Sequence, residues 1–184
     1  SSAIKAFVYN GGGFIGVELM ENLRELGIAV TVVQRPRQLL NPLDADMAAF
    51  LHAKLRQKGV RLHLGCTVEG FAANGDRVNV LLKDEAPLTA DMVVLAIGVT
   101  PDTGLAKAAE LELGNDRMET SAPDIYAVGD AVQVKHFVTG QDTLLSLAGP
   151  ANKQGRIAAD NICGGDSRYP GSQGSSVIKV FDMT

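Results

Sequence analysis

Three consecutive glycines with a fourth three residues on, Gly11-Gly12-Gly13-Phe14-Ile15-Gly16, restrict this chain more than any other feature. They follow an apolar run, Ile4-Lys5-Ala6-Phe7-Val8-Tyr9, and precede apolar residues at helical spacing, Ile15, Leu19, Leu23 and Leu26. The order strand, G-x-G-x-x-G turn, helix predicts a phosphate-cradling βα turn. Gly11 permits the tight turn, Gly13 lets backbone approach a pyrophosphate, and Gly16 lets the helix pack close to the strand. The helix start then offers free N–H groups and a partial positive charge to phosphates. A glycine-rich turn that binds nothing is the alternative, and the flanking strand and helix argue against it.

The alternation continues. Ala29-Val30-Thr31-Val32-Val33 reads as a strand after the helix-ending Gly27. A helix is expected from Asp44 or Asp46 to Lys58, with Met47, Phe50, Leu51 and Leu55 on one face and Gly59 as its stop. Val60–Leu64 is the third strand, and right-handed crossovers make the sheet parallel. From Cys66 the pattern changes to short antiparallel strands at Val68–Ala72, Val78–Leu82 and around Leu88, with Asn74-Gly75 as a hairpin signal. Met92–Ile97 is almost wholly apolar, which suits a central strand covered on both faces, and ends at Gly98. Beyond it come a short helix over Leu105–Leu111, a strand at Ile125–Val128, a helix from Pro150 to about Ile162, and a last strand from Val177 to Phe181.

At the end of the second strand, where an acid usually takes the adenosine ribose hydroxyls, stands Gln34, followed by Arg35 and Arg37. The missing carboxylate removes a repulsion toward a 2′-phosphate, and a guanidinium pairs with phosphate in a bidentate way. This favours NADPH, or tolerance of both nicotinamide cofactors. Solvated surface arginines are the competing reading, strongest for Arg37.

A net charge of −4 gives no footprint for nucleic acid, and no apolar run approaches a membrane span. No signal peptide is visible, so the cytoplasm is the expected compartment. Cys66 and Cys163 are far apart and read as ordinary semi-buried thiols. His52, His63 and His136 form no ligand pair, so a metal site is not expected.

Four motifs stand in one order: Gly11–Glu18; Ala96-Ile97-Gly98-Val99-Thr100-Pro101-Asp102; Thr120–Ala131, ending Ala127-Val128-Gly129-Asp130-Ala131; and Leu147–Asn161. Together they resemble the pyridine nucleotide-disulfide oxidoreductases, flavoproteins with two dinucleotide domains. The fourth motif and Asn41-Pro42-Leu43-Asp44 resemble the branch with coenzyme A-disulfide reductases, NADH oxidases and persulfide reductases.

The resemblance implies an α/β chain with three parts. Residues 1–98 would be a Rossmann-like NAD(P)H-binding domain with a three-stranded antiparallel addition. Residues 99–176 would be an incomplete FAD half-domain, and 177–184 the start of the dimerisation domain of a homodimer. It implies a piece of a larger enzyme, with a natural split subunit as the alternative. The first FAD-binding unit, the redox-active cysteine and most of the dimerisation domain would lie elsewhere.

Candidate NAD(P)H-binding residues are Gly11, Gly12, Gly13, Phe14, Ile15, Gly16, Glu18, Gln34, Arg35 and Gly98. Phe14 would face the nicotinamide pocket or else be a core aromatic. By resemblance Glu18 helps orient the two rings, while its place near a helix start also suits a dipole partner. Gly129, Asp130, Ala131 and Asn152 would meet FAD, with Asp130 accepting from the ribityl chain; a helix cap is the bland reading of Asp130. No catalytic residue is assigned.

The implied reaction passes hydride from NAD(P)H to FAD and on to a disulfide, persulfide or oxygen acceptor, with the piece alone inactive. A nicotinamide-only dehydrogenase is a second reading, but it needs an acid–base residue after the sheet and none is found. A non-catalytic NAD(P)H-binding interaction module is the third.

Overall fold

The computed structural model describes residues 7–184, with side chains from Gly11 onward. The Ile4–Ala6 part of the expected first strand lies outside the described residues. The chain divides into two units. One comprises residues up to Val99 together with Val177–Thr184; the other is Thr100–Ser176.

The first unit is built on a four-stranded parallel sheet. In chain order its elements are β1 (Phe7–Asn10), α1 (Phe14–Glu25), β2 (Val30–Gln34), α2 (Ala45–Gln57), β3 (Arg61–Leu64), β4 (Val68–Asn74), β5 (Arg77–Leu82), β6 (Leu88–Ala90) and β7 (Met92–Leu95). The sheet runs β3-β2-β1-β7, with Phe7 opposite both Val30 and Met92. A second, antiparallel sheet runs β4-β5-β6. Its β4–β5 hairpin turns through Gly75-Asp76 between the paired Asn74 and Arg77.

Alternate strand residues explain the apolar runs. Val30, Val32, Met92 and Val94 pack with Val17, Met20 and Leu23 of α1 and Leu51 and Leu55 of α2. Val33 and Val93 point to the other cluster, with Val80, Leu82 and Ala90 of the antiparallel sheet. The strands are therefore covered on both faces, which selects unbroken β-branched sequence. β7 is covered as expected but is not central: among the described residues it pairs only with β1 and forms the sheet edge.

Helix phases differ from the expected faces. The buried stripe of α1 is Gly16, Val17, Met20 and Leu23, while Ile15 and Leu26 are exposed. α2 buries Ala48, Leu51 and Leu55, and leaves Met47 and Phe50 in solvent. Large side chains suggested one face; a small one, Ala48, allows the close approach on the other. Both helices stop where glycine was expected to stop them. Gly27 N–H bonds Arg24 C=O and Ile28 N–H bonds Leu23 C=O, and the same closure recurs through Gly59 and Val60. Positive φ at both glycines makes that closure cheap.

The C-terminal residues join this unit. Val180 is buried in the first cluster with Ile178 and Phe181 beside it, and Asp182 pairs with Lys54 at 3.0 Å. The expected strand over Val177–Phe181 does not form; Val180 and Met183 make only an isolated bridge across a tight turn.

The second unit has little regular structure: α3 (Gly104–Ala108), a 3₁₀ turn at Gly129–Ala131, β8 (Val134–Lys135), β9 (Asp142–Thr143) and α4 (Ala148–Ile162). α3 closes three residues before the expected end, because Glu110 takes a left-handed conformation and its N–H bonds Lys107 C=O. The strand expected at Ile125–Val128 is reduced to a single Glu119–Tyr126 bridge. Its neighbour, residues 118–120, runs alongside only far enough for two bonds, from Ala127 N–H to Met118 C=O and from Thr120 N–H to Ile125 C=O. Met118, Val132, Val134, Ala158 and Tyr169 form a small core. Among the described residues, no helix is long and apolar enough to cross a membrane.

Candidate functional site

The glycine turn is fixed from both sides. Gly11 is buried at φ +137, where an added Cβ would lie 2.1 Å from the Ala96 carbonyl oxygen. Only glycine fits so close to the chain leaving β7. Gly12 donates its N–H to Gln34 Oε1 at 2.7 Å, and its carbonyl accepts from Leu40 N–H at 2.7 Å. Gly13 differs: it caps α1 at an ordinary φ of −80, and among the described residues nothing lies within 4 Å of a Cβ built on it.

The start of α1 therefore stays open. No side chain caps it, and no acid occupies its first turn. Its first N–H groups and the helix dipole are left for an anion. Phe14 and Ile15 are exposed at this end, Phe14 standing outside the apolar core, and Gly16 is buried. Glu18 is exposed beyond the first turn, and its backbone carbonyl accepts from the Asn22 side chain. Gly98 is exposed at φ +110, past the end of β7.

Beside the turn lies a cleft of about 430 Å³ lined by Gly11, Gln34, Arg35, Asn41, Thr67 and Ile97, among others. It sits past the carboxyl ends of β1 and β2, where open α/β sheets take ligands. Arg35 reaches it; Arg37 is exposed and not among its lining residues. Behind the cleft, Leu39 donates its N–H to His52 Nε2 at 3.1 Å. Burial, helped by the charge of Arg56, pushes the His52 pKa down, which keeps the ring neutral and able to accept. Of the two thiols, Cys66 is buried between β3 and β4 and Cys163 is exposed at the end of α4, so neither is semi-buried. Burial first, then the Glu85 carboxylate, pushes the Cys66 pKa up, which makes it a poor nucleophile.

In the second unit, Gly129 at φ +75 opens the 3₁₀ turn and donates its N–H to Gln154 Oε1 at 2.7 Å. Gln154 is only 2% exposed. Asp130 is exposed next to it and caps neither that turn nor α4, whose N-terminus also lacks a side-chain cap. Ala131 is half-buried and Asn152 exposed on the first turns of α4. The sequence reading missed Gln154 and His52. For Gln154 a signal existed: Gln154, Ala158 and Asn161 share one helical stripe, and two amides in a buried stripe require partners.

Residues 4–155 match the family model described as pyridine nucleotide-disulphide oxidoreductase. The chain belongs to that family. A relative from Pyrococcus abyssi, an NAD(P)H sulfur oxidoreductase (CoA-dependent), is 34% identical over 98% of this chain and 42% of its own length. The crystal structure of reduced Bacillus anthracis CoADR-RHD matches with a TM-score of 0.91 and 46% identity, covering 97% of this chain and 33% of that one. An engineered water-forming NADPH oxidase bound to NADPH matches with a TM-score of 0.91 and 30% identity, covering 98% and 41%. The chain thus spans about two fifths of the length of the curated relative from Pyrococcus, the family's α/β dinucleotide-binding architecture included.

Proposed function

We propose that this chain is the NAD(P)H-binding part, with an adjoining flavin-facing segment, of a flavoprotein oxidoreductase. That enzyme passes hydride from NAD(P)H to FAD and then to a disulfide, persulfide or oxygen acceptor. Residues 1–98 hold the nicotinamide cofactor, 99–176 form the C-terminal half of the flavin domain, and 177–184 begin the interface of a cytoplasmic homodimer. The observation that carries the reading is the open, uncapped start of α1 beside the Gln34–Arg35 cleft.

The residues present suit both cofactors. The free N–H groups of α1 take the pyrophosphate, and Gly13 lets it come close. Arg35 faces the adenosine end. The engineered oxidase, described as bound to NADPH, carries among its substitutions an aspartate changed to alanine and the next residue changed to arginine. Gln34-Arg35 has that chemistry, an uncharged residue and then a guanidinium, which supports NADPH at least as strongly as NADH. Gln154 holds the backbone of Gly129, so the Asp130 carboxylate is presented outward to accept from a ribityl hydroxyl. Asn152 and the open start of α4 face the same ligand. Bound FAD supplies the two-electron chemistry, and the protein positions the rings.

The experiment is anaerobic addition of NADPH or NADH to the full-length gene product. Loss of the oxidised flavin's visible absorption is expected. Bound flavin that stays oxidised, or a protein that binds nicotinamide nucleotide and no flavin, contradicts the reading and leaves the interaction module standing.

A further inference from the structure

Leu39 and Leu40, in the loop between β2 and α2, donate successive N–H groups to two different partners. Leu39 gives its N–H to His52 Nε2 of α2 at 3.1 Å, and Leu40 gives its own to the Gly12 carbonyl at 2.7 Å. The N–H side of the glycine turn hangs on β2 instead: Gly11 N–H bonds Val33 C=O at 3.2 Å, and Gly12 N–H bonds Gln34 Oε1 at 2.7 Å. The carbonyl side of the turn therefore depends on the loop. Leu40 sits at φ +48, a left-handed conformation that leucine holds only where its surroundings over-determine it. Both leucine side chains are buried in the core, so the Leu39 N–H needs a protein acceptor, and the His52 ring is that acceptor.

We propose that His52 is a positioning residue for the dinucleotide: through Leu39 and Leu40 it holds the Gly12 carbonyl, and with it the aim of the free N–H groups at the start of α1. This rests on the reading of that helix start as the pyrophosphate site. Nε2 accepts, so the ring proton sits on Nδ1. Without the acceptor, the Leu39 N–H is left buried and unpaired, and its peptide turns to find another partner. Leu40 then relaxes from its left-handed conformation, and its N–H leaves the Gly12 carbonyl. Gly13, which nothing among the described residues presses upon, gains freedom, and the N–H groups after it lose their common direction. A ligand must then order them on binding, which costs affinity. The pyrophosphate is common to both nicotinamide cofactors, so the loss falls equally on NADPH and NADH. That equality separates His52 from Gln34 and Arg35, which line the cleft itself.

The test is a titration of the chain with NADPH and with NADH, in the wild type, His52→Leu, His52→Asn and His52→Gln, alongside hydrogen exchange of the Leu39 and Leu40 amides. Leucine removes the acceptor, and asparagine keeps a polar group but withdraws it from reach. Both should lose Leu39 and Leu40 protection and weaken the two cofactors alike, by about three- to tenfold, the scale of one hydrogen bond. Glutamine carries its amide oxygen at about the reach of Nε2 and should restore protection and affinity together. Rescue by glutamine and not by asparagine marks positioning, because the two amides differ only in reach; this pair carries the test if the leucine variant does not fold. Wild-type affinity in a folded leucine or asparagine variant, a loss confined to one cofactor, or a glutamine variant that regains protection but not affinity overturns the proposal. A folded wild type that binds neither cofactor overturns the reading of the helix start and this proposal with it, a failure visible before any variant is compared.

Discussion

The two units hold their exposed turns by different means. In the first, the glycine turn sits on a parallel sheet whose strands are covered on both faces, and apolar packing holds it. In the second, two buried amides of α4 do the holding, one of them at the 3₁₀ turn that carries Asp130. Gln154 holds Gly129, while Asn161 bonds Arg117 C=O, Ser167 C=O and Ser167 N–H at 2.8–2.9 Å. One scaffold is redundant, because many contacts share the load. The other concentrates it in a few hydrogen bonds, each costly to leave unmade.

The contrast breaks most sharply at Gly11. Gly11→Ala forces a Cβ onto the Ala96 carbonyl at a left-handed φ, so redundancy offers no relief. A loss of more than about 3 kcal/mol is expected in denaturant titration, confined to the first unit. A smaller effect is expected from Asn161→Ala, which strands three backbone groups and should cost about 2–4 kcal/mol in the second unit alone. If Asn161→Ala leaves the stability of the second unit unchanged, that buried amide does not carry the load described. The smallest effect concerns pH. The His52 pKa is lowered in the folded chain, so the unfolded chain binds more protons, and stability from this site is present above the ordinary value of 6.5 and declines as pH falls below it. The first unit's midpoint should drop over that range, and His52→Gln should flatten the drop. A pH response unchanged by that variant removes His52 from the account.

The same contrast explains what was legible. Gly27 and Gly59 end helices because no other residue enters that conformation as cheaply, and such signals are local. The glycine turn, the parallel order and the antiparallel addition followed from periodicity. Helix faces were misjudged at Met47 and Phe50, since an isolated helix does not show which of two overlapping stripes meets a sheet. Ile125–Val128 reads as a strand because composition reports propensity and not how far a neighbour runs alongside. That no acid stands at the end of β2, where Gln34 does, was visible, but the Gln34 bond to Gly12 was not, because that bond spans 22 residues and depends on how the loop to Leu40 closes.

The central claim, that the open start of α1 is a dinucleotide site, is tested most directly at Gly13. Among the described residues nothing occupies the space beside it, and its φ suits any residue. Gly13→Asp places a good cap and a favourable charge at the helix start, so stability should hold or rise by roughly a few tenths of a kcal/mol. The same carboxylate would stand where the pyrophosphate belongs. Calorimetric titration with NADPH should show saturable binding to the wild type and none to a variant of equal or greater stability. Undiminished binding by a well-folded Gly13→Asp protein would contradict the account.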